Sequence, residues 1–454
     1  MYLLRVFARY AGFRLLDQGA PSSPNTILFL FGDDKSPSHS VLTIHFPAAA
    51  QLNAGPAPAP ASNHFLAGMT SAALDFTTFR NLVSFKSASE GIMTMDVWQF
   101  SFDLLAGRLE SINPLRDAHG RYRWSQSGTP DQMVDRPVVN LLFEHLRRML
   151  LEILGRPWQR SADRQTICLS HDVDLIRKYR GLAGVKRMLG NAIRQSGSAA
   201  AELKTGTSTL LGGRRDPYDS FDNLYFIKER INAPSTFFLL TEKNDANADY
   251  DLTDKEIRNL ILRGKSSGDE FGLHASMHSP DRPEMIGREK SKLESVLSST
   301  VTGSRQHYLR FSMPETWRHL ASAGLRYDST MGFADRAGFR MGWSGPLPVF
   351  DIGTQRELPL LEIPLTCMDV TLAVYEKIAP ELALERLTNL LDAACEASGG
   401  AFVFLWHNTI ADQVRYPGYW DTFEYFFSIA SGSARFLTLN QLCDEYETQV
   451  AALA

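Results

Sequence analysis

The chain has 454 residues, a formal net charge of -4, 44% hydrophobic residues and 22% charged residues. That length predicts two or three domains, and the composition excludes a disordered or fibrous chain. The near-neutral charge gives no support to nucleic acid as a partner, and four scattered cysteines, Cys168, Cys367, Cys395 and Cys443, exclude a disulfide framework or a Cys-based zinc site.

The first ten residues mix Arg5 and Arg9 into an apolar stretch and offer no small-residue cleavage site, a poor signal peptide. No run approaches the ~18 apolar residues of a membrane span. A cytoplasmic protein is expected. Thr26–Phe31 and Val41–Phe46 read as strands. The Pro/Ala-rich stretch Ala48–Ala61 reads as an exposed loop. Helical patterns follow around Met95–Leu109 and over Val138–Leu154, where Leu142, Leu146, Leu150 and Ile153 keep helix spacing. A boundary is expected near Gly155-Arg156-Pro157. It separates a smaller α+β N-terminal domain (1–155) from a second domain (156–454).

Beyond it, strand and helix alternate. Strands are predicted at Thr166–Leu169, Ser235–Leu240, Glu270–His274, His307–Phe311, Leu325–Asp328, Leu361–Thr366, Ala401–Leu405 and Arg435–Leu439. Helices are predicted at Ser220–Ile231, Asp254–Ser266, Arg288–Ser298, Thr316–Ala323, Pro380–Ala397 and Asp421–Ile429. Residues 195–216 read as a polar, Gly-containing insertion, a disordered surface loop rather than a substrate-covering lid. The alternation predicts an α/β fold with parallel strands, a barrel or an open sheet, with chemistry at the C-terminal strand ends.

The polar residues that interrupt apolar runs fall at those ends. Ser170-His171-Asp172-Val173-Asp174 closes the first run. Charge placed beside charge there needs a partner, a proton or a metal. His274 and His278 close the third, four apart, on one face if the segment turns helical. Position 275 is Ala, not the Glu of zinc-protease helices, so the base and third ligand must come from elsewhere. Asp172 and Asp174 can supply them. Two His and one carboxylate leave positions open for water and substrate, and the other carboxylate is free to take a proton.

In this order the motifs resemble those of the polysaccharide deacetylases, the NodB-homology group or carbohydrate esterase family 4, over about 165–445. The resemblance implies a distorted barrel of seven or eight strands and hydrolytic removal of N-acetyl or O-acetyl groups from a glycan or sugar precursor, as in exopolysaccharide biosynthesis. It implies Asp172 as base and Asp174, His274 and His278 as ligands of a divalent metal, most simply zinc. Gly303-Ser304-Arg305-Gln306-His307-Tyr308 matches an Arg-X-Pro-Tyr motif with His307 in place of Pro. It implies Arg305 paired with Asp172, and the Tyr308 backbone N–H as oxyanion donor. Leu405-Trp406-His407 implies His407 as general acid toward the leaving nitrogen, and Asp328 as a residue orienting the site. Asp117–Tyr122 and Arg136–Asn140 are similar to a poorly characterised domain that precedes some bacterial deacetylases. His171 is a packing or ligand-orienting residue on this reading, and Cys367, Asp369 and Trp343 are core or loop, with lining of the substrate groove as the alternative. The rival readings are another amide- or ureide-cleaving metallohydrolase on the same barrel, and an inactive carbohydrate-binding homologue, against which the intact Asp172 speaks.

Overall fold

The structure is a computed structural model. It describes residues 2–11, 97–113, 115–153, 157, 165–194, 198–242, 248–396 and 398–453, and between residues 14 and 93 the backbone of five strands. These are β1 (Arg14–Leu15), β2 (Thr26–Phe31), β3 (Ser40–His45), β4 (Val83–Ser87) and β5 (Glu90–Met93), in the order β1-β2-β3-β5-β4. The Ala48–Ala61 stretch and residues 155 and 156 of the expected boundary lie outside the described residues.

The second sheet carries the site. Its strands are β6 (Gln165–Val173), β7 (Ser235–Leu239), β8 (Glu270–Ala275), β9 (Gly303–Gln306), β10 (Tyr327–Asp328), β11 (Leu347–Asp351), β12 (Arg356–Glu362), β13 (Cys367–Met368), β14 (Ala401–Leu405) and β15 (Ala434–Phe436). The path runs β11-β12-β10-β9-β8-β7-β6-β14-β13, with β15 also on β6. Every pair is parallel except β11/β12. The segment Arg356–Met368 joins the two ends of this path. Ile363 N–H donates to the Asp328 carbonyl, and three residues on Thr366 N–H donates to the Val403 carbonyl. One continuous segment therefore borders β10 and then β14, which curls the sheet round on itself. Most of the sheet's strands are fully buried and rich in Phe, Leu, Ile and Val, as a sheet covered on both faces requires.

The predicted alternation is found, with shifted edges. Helices run Phe221–Ile231, Lys255–Ser266, Pro283–Leu297, Glu315–Ser322, Pro380–Ala394 and Tyr419–Ala430. Two expectations are corrected. The fourth strand is Gly303–Gln306, and His307–Leu309 is a 3-10 turn. Tyr308 (φ 62°) and Leu309 (φ 54°) are left-handed, which no strand accommodates. The true strand was hidden because Ser304, Arg305 and Gln306 are buried polar residues. Within 195–216, Ala199–Leu210 is a helix, favoured by Ala199, Ala200, Ala201, Glu202 and Leu203.

The helices Tyr2–Ala11, Val97–Leu105 and Val138–Ile153 share one hydrophobic cluster with Trp343, Leu347, Val349 and Phe350 of the second sheet's periphery. Tyr2 donates its hydroxyl to the Pro348 carbonyl at 2.7 Å, and Phe7 meets Phe143 edge-on. Among the described residues no helix is long and apolar enough to cross a membrane.

Candidate metal and catalytic site

Side chains alternate along β6. Ser170 and Asp172 therefore share one face, and His171 takes the other. On the first face lies Arg305 of β9, wholly buried. Its Nη1 donates to Ser170 Oγ (2.8 Å) and Asp172 Oδ1 (3.0 Å), its Nε to the Ser329 carbonyl (2.8 Å) and its Nη2 to Ser329 Oγ (2.9 Å). The guanidinium also covers the Phe238 ring. The expected Arg305–Asp172 pair is thus present in the geometry. His171 turns away, its Nδ1 2.8 Å from the Trp406 carbonyl and its ring against Phe237. Burial, followed by Lys228, holds its pKa well below the ordinary value, so it packs as a neutral ring.

Asp174, just past β6, is the centre of a cluster. Its Oδ1 lies 3.2 Å from His274 Nε2 and 3.5 Å from His307 Nε2, and its Oδ2 lies 3.8 Å from His407 Nε2. Asp174, His274 and His307 each present one donor atom, all within 4.8 Å of one another. The strands that carry these groups lie close together in the sheet, β8 beside β9 and β6 one strand beyond β7. Parallel pairing sets their C-terminal ends side by side, and the residues that follow those ends meet there.

His274 Nδ1 lies 2.9 Å from the Arg305 carbonyl, a bond in which only the ring nitrogen can donate. Its Nε2 faces Asp174 Oδ1 at 3.2 Å. Burial disfavours a charged ring, but Asp172 and then Asp174 raise the His274 pKa, so this contact calls for a positive charge, a proton or a metal ion, between nitrogen and oxygen. A divalent ion fits this donor set, and the Arg305 carbonyl is the outer-shell acceptor that fixes the imidazole. Burial raises the Asp174 pKa, but the charge of His307, the bond from His274 and the charge of His407 outweigh it and hold it low.

His278 is not part of this cluster. It is exposed, at the start of the 3-10 turn Ser279–Asp281. The chain past β8 turns after Ala275 and does not continue as a helix, so the two histidines do not share a face. His307, expected only as a replacement for Pro, stands where the third donor was sought. Its ring lies against His274 (4.9 Å) and stacks on Tyr308 (4.5 Å).

His407 follows β14 on the opposite flank. Its Nδ1 is 2.7 Å from Asp369 Oδ1, and its backbone N–H donates to Asp369 Oδ2 at 2.7 Å. Burial opposes protonation, but Asp369, then Asp174 and Asp172, raise the pKa to about 9. Asp369, expected in core or loop or along the substrate groove, lies in the site. It is fully buried and orients His407, a role that sequence spacing could not disclose. Asp328 does not reach the cluster. It accepts from Ser304 Oγ (2.7 Å) and Thr330 N–H (2.9 Å), and Thr330 Oγ1 accepts from Gln306 N–H, so it braces the strand that carries Arg305. Trp343 is core against Tyr10 and Phe143. Cys367 is buried.

A wall of the site comes from before residue 155. His119 stacks flat on Tyr308, centroids 4.9 Å apart and planes within 8°. Arg121, buried and paired with Asp117, reaches the Tyr308 carbonyl (3.5 Å) and Tyr375 Oη (3.0 Å).

No family model matches the chain, and no curated protein matches it. Solved structures to which it is similar include polysaccharide deacetylases and proteins of carbohydrate esterase family 4, among them a pseudoenzyme of that family. A Mycobacterium smegmatis protein assigned as a polysaccharide deacetylase is 17% identical, with a TM-score of 0.43 over 64% of this chain and 94% of that one. The chitin deacetylase of Colletotrichum lindemuthianum is 13% identical, with a TM-score of 0.35 over 63% and 91%. The peptidoglycan deacetylase of Bacillus subtilis is 12% identical, with a TM-score of 0.30 over 64% and 95%. These values are too low to carry a reaction across, which has to be read from the side chains.

Proposed function

We propose that the protein is a metal-dependent hydrolase that removes acetyl groups, N-acetyl foremost, from a glycan or sugar precursor. The observation that carries this reading is the placement of Asp172–Arg305 and His407–Asp369 on two flanks of the Asp174, His274 and His307 cluster. One flank offers a carboxylate to accept a proton, the other an imidazolium to give one.

Asp174, His274 and His307 would hold the ion, zinc by the character of one carboxylate and two imidazoles. When bound, such an ion polarises an amide carbonyl and makes water a better acid. Arg305 holds Asp172 Oδ1. The other oxygen, Oδ2, faces the cluster, 3.7 Å from His274 Nε2, and takes the proton of the attacking water. The Tyr308 backbone N–H is the oxyanion donor on this reading. His407 enters the reaction protonated. It passes its Nε2 proton to the departing nitrogen, so that water and acetamide become acetate and amine.

The test is acetate release from a panel of N-acetylated glycans and sugar precursors by metal-loaded wild type and Asp172→Asn. Loss of about two to four orders of magnitude in the variant, with metal retained, is expected. Acetate released equally by both would overturn the assignment of the base. Bound metal with no acetate from any substrate would overturn the deacetylase reading.

A further inference from the structure

Between the loop of Asp174 and β7 the chain forms a helical hairpin, Gly181–Arg194 followed by Ala199–Leu210. Its inner face is built. Met188 closes against Gly206, where a Cβ would collide with the Met188 sulfur. Lys178, almost wholly buried, lies 2.6 Å from both Glu202 Oε2 and Asp412 Oδ2, and Asn191 Nδ2 donates to Glu202 Oε1 at 2.9 Å. The second helix is thereby tied to the segment just past His407. The hairpin stands at the end of the sheet that holds the site.

Its outer face is the wrong way round for a water-exposed surface. Leu182, Lys186, Leu189 and Ile193 are spaced four, three and four apart, so they form one stripe. The stripe points outward, with Leu182 84% and Ile193 81% exposed. On the second helix Leu203 and Leu210 are also exposed, and Leu211 follows at 81%. A helix packed on a globular protein normally keeps its outward stripe polar. The charge is equally one-sided. From Arg180 to Arg215 the sequence has seven basic residues and one acid, the buried Glu202, in a chain of net charge -4. Arg180, Arg194, Lys204 and Arg214 are exposed, as is Lys186 within the first stripe.

Apolar side chains flanked by cations on a surface helix match an anionic bilayer. The leucines enter the boundary of headgroups and acyl chains, and the cations meet lipid phosphates. We propose that this hairpin docks the protein on an anionic membrane surface, with the site end of the sheet turned toward it. Docking of this kind requires no membrane-spanning helix, and it stands or falls independently of the deacetylase reading.

The test is flotation of the full-length protein with vesicles of phosphatidylglycerol and phosphatidylcholine, and with phosphatidylcholine alone. The variants are Leu182→Ser/Ile193→Ser and Lys186→Glu/Arg194→Glu. The wild type is expected to float with the anionic vesicles, about tenfold less with the neutral ones or in high salt, and each double variant to lose about tenfold or more. Circular dichroism checks the fold. Should the apolar variant fail to fold, the charge reversal at exposed side chains decides. Wild type left unbound, or variants that float as well as wild type, would overturn the proposal. So would a wild-type dimer without vesicle binding that Leu182→Ser/Ile193→Ser makes monomeric, which would make this face an interface between copies.

Discussion

His307 Nε2 lies 3.5 Å from Asp174 Oδ1, inside the cluster from which His278 is excluded. The turn that begins at His307 aims this imidazole at the carboxylate, while the bend after Ala275 leaves His278 in solvent. The two histidines should therefore separate cleanly. His307→Ala is expected to weaken metal binding by about 100-fold or more, since even outer-shell changes cost 10- to 100-fold. His278→Ala should leave metal content and acetate release within about twofold. Metal titration of both variants checks this. Loss of metal in His278→Ala with His307→Ala intact would reverse the assignment.

The His407–Asp369 pair predicts a pH profile. A raised pKa means that the proton is held below about pH 9 and lost above it, so acid-dependent turnover is full at neutral pH and falls on the alkaline side. Asp369→Asn removes the largest upward influence. The alkaline limb of kcat/KM is expected to move down by about one unit or more, with metal content unchanged. An unmoved limb would mean that His407 is not the titrating acid.

Asp328 ties stability to pH. Burial, opposed by its bonds from Thr330 and Ser304, lifts its pKa to about 6, and burial followed by the charge of Asp328 raises that of Glu362 well above the ordinary value. The folded state then holds a proton that the unfolded chain has released between about pH 4 and 6, so this group's contribution to stability falls as pH rises through that window. Asp328→Asn can keep both bonds, because an amide can donate to Ser304 Oγ and accept from Thr330 N–H. The variant should gain on wild type by about 1–2 kcal/mol between pH 4.5 and pH 7 in denaturant unfolding. A constant difference would show that Asp328 does not titrate there.

The flat stack of His119 on Tyr308 supports a turn with two left-handed residues next to the site. His119→Ala is expected to lower kcat/KM by about two- to tenfold, and His119→Phe to restore most of it, since stacking supplies the contact. Equal losses in both variants would point to a polar role for the imidazole.

The sequence by itself determined the repeating strand and helix pattern and the elements that end in Asp172, Asp174, His274 and His407. Those signals are local: apolar period, strand length, and charge at a strand end. Three decisions belonged to the tertiary structure. His307 replaced His278 because the turn after β9, not the spacing along β8, aims an imidazole at Asp174. Asp369 reached His407 because one segment of chain curls from β10 round to β14. His119 reached Tyr308 across nearly two hundred residues because the helices before residue 155 share a hydrophobic cluster with the second sheet. A metal or proton site is closed by groups far apart in the chain. Local patterns name the candidates, and only the turns, the packing and the curl of the folded chain select among them.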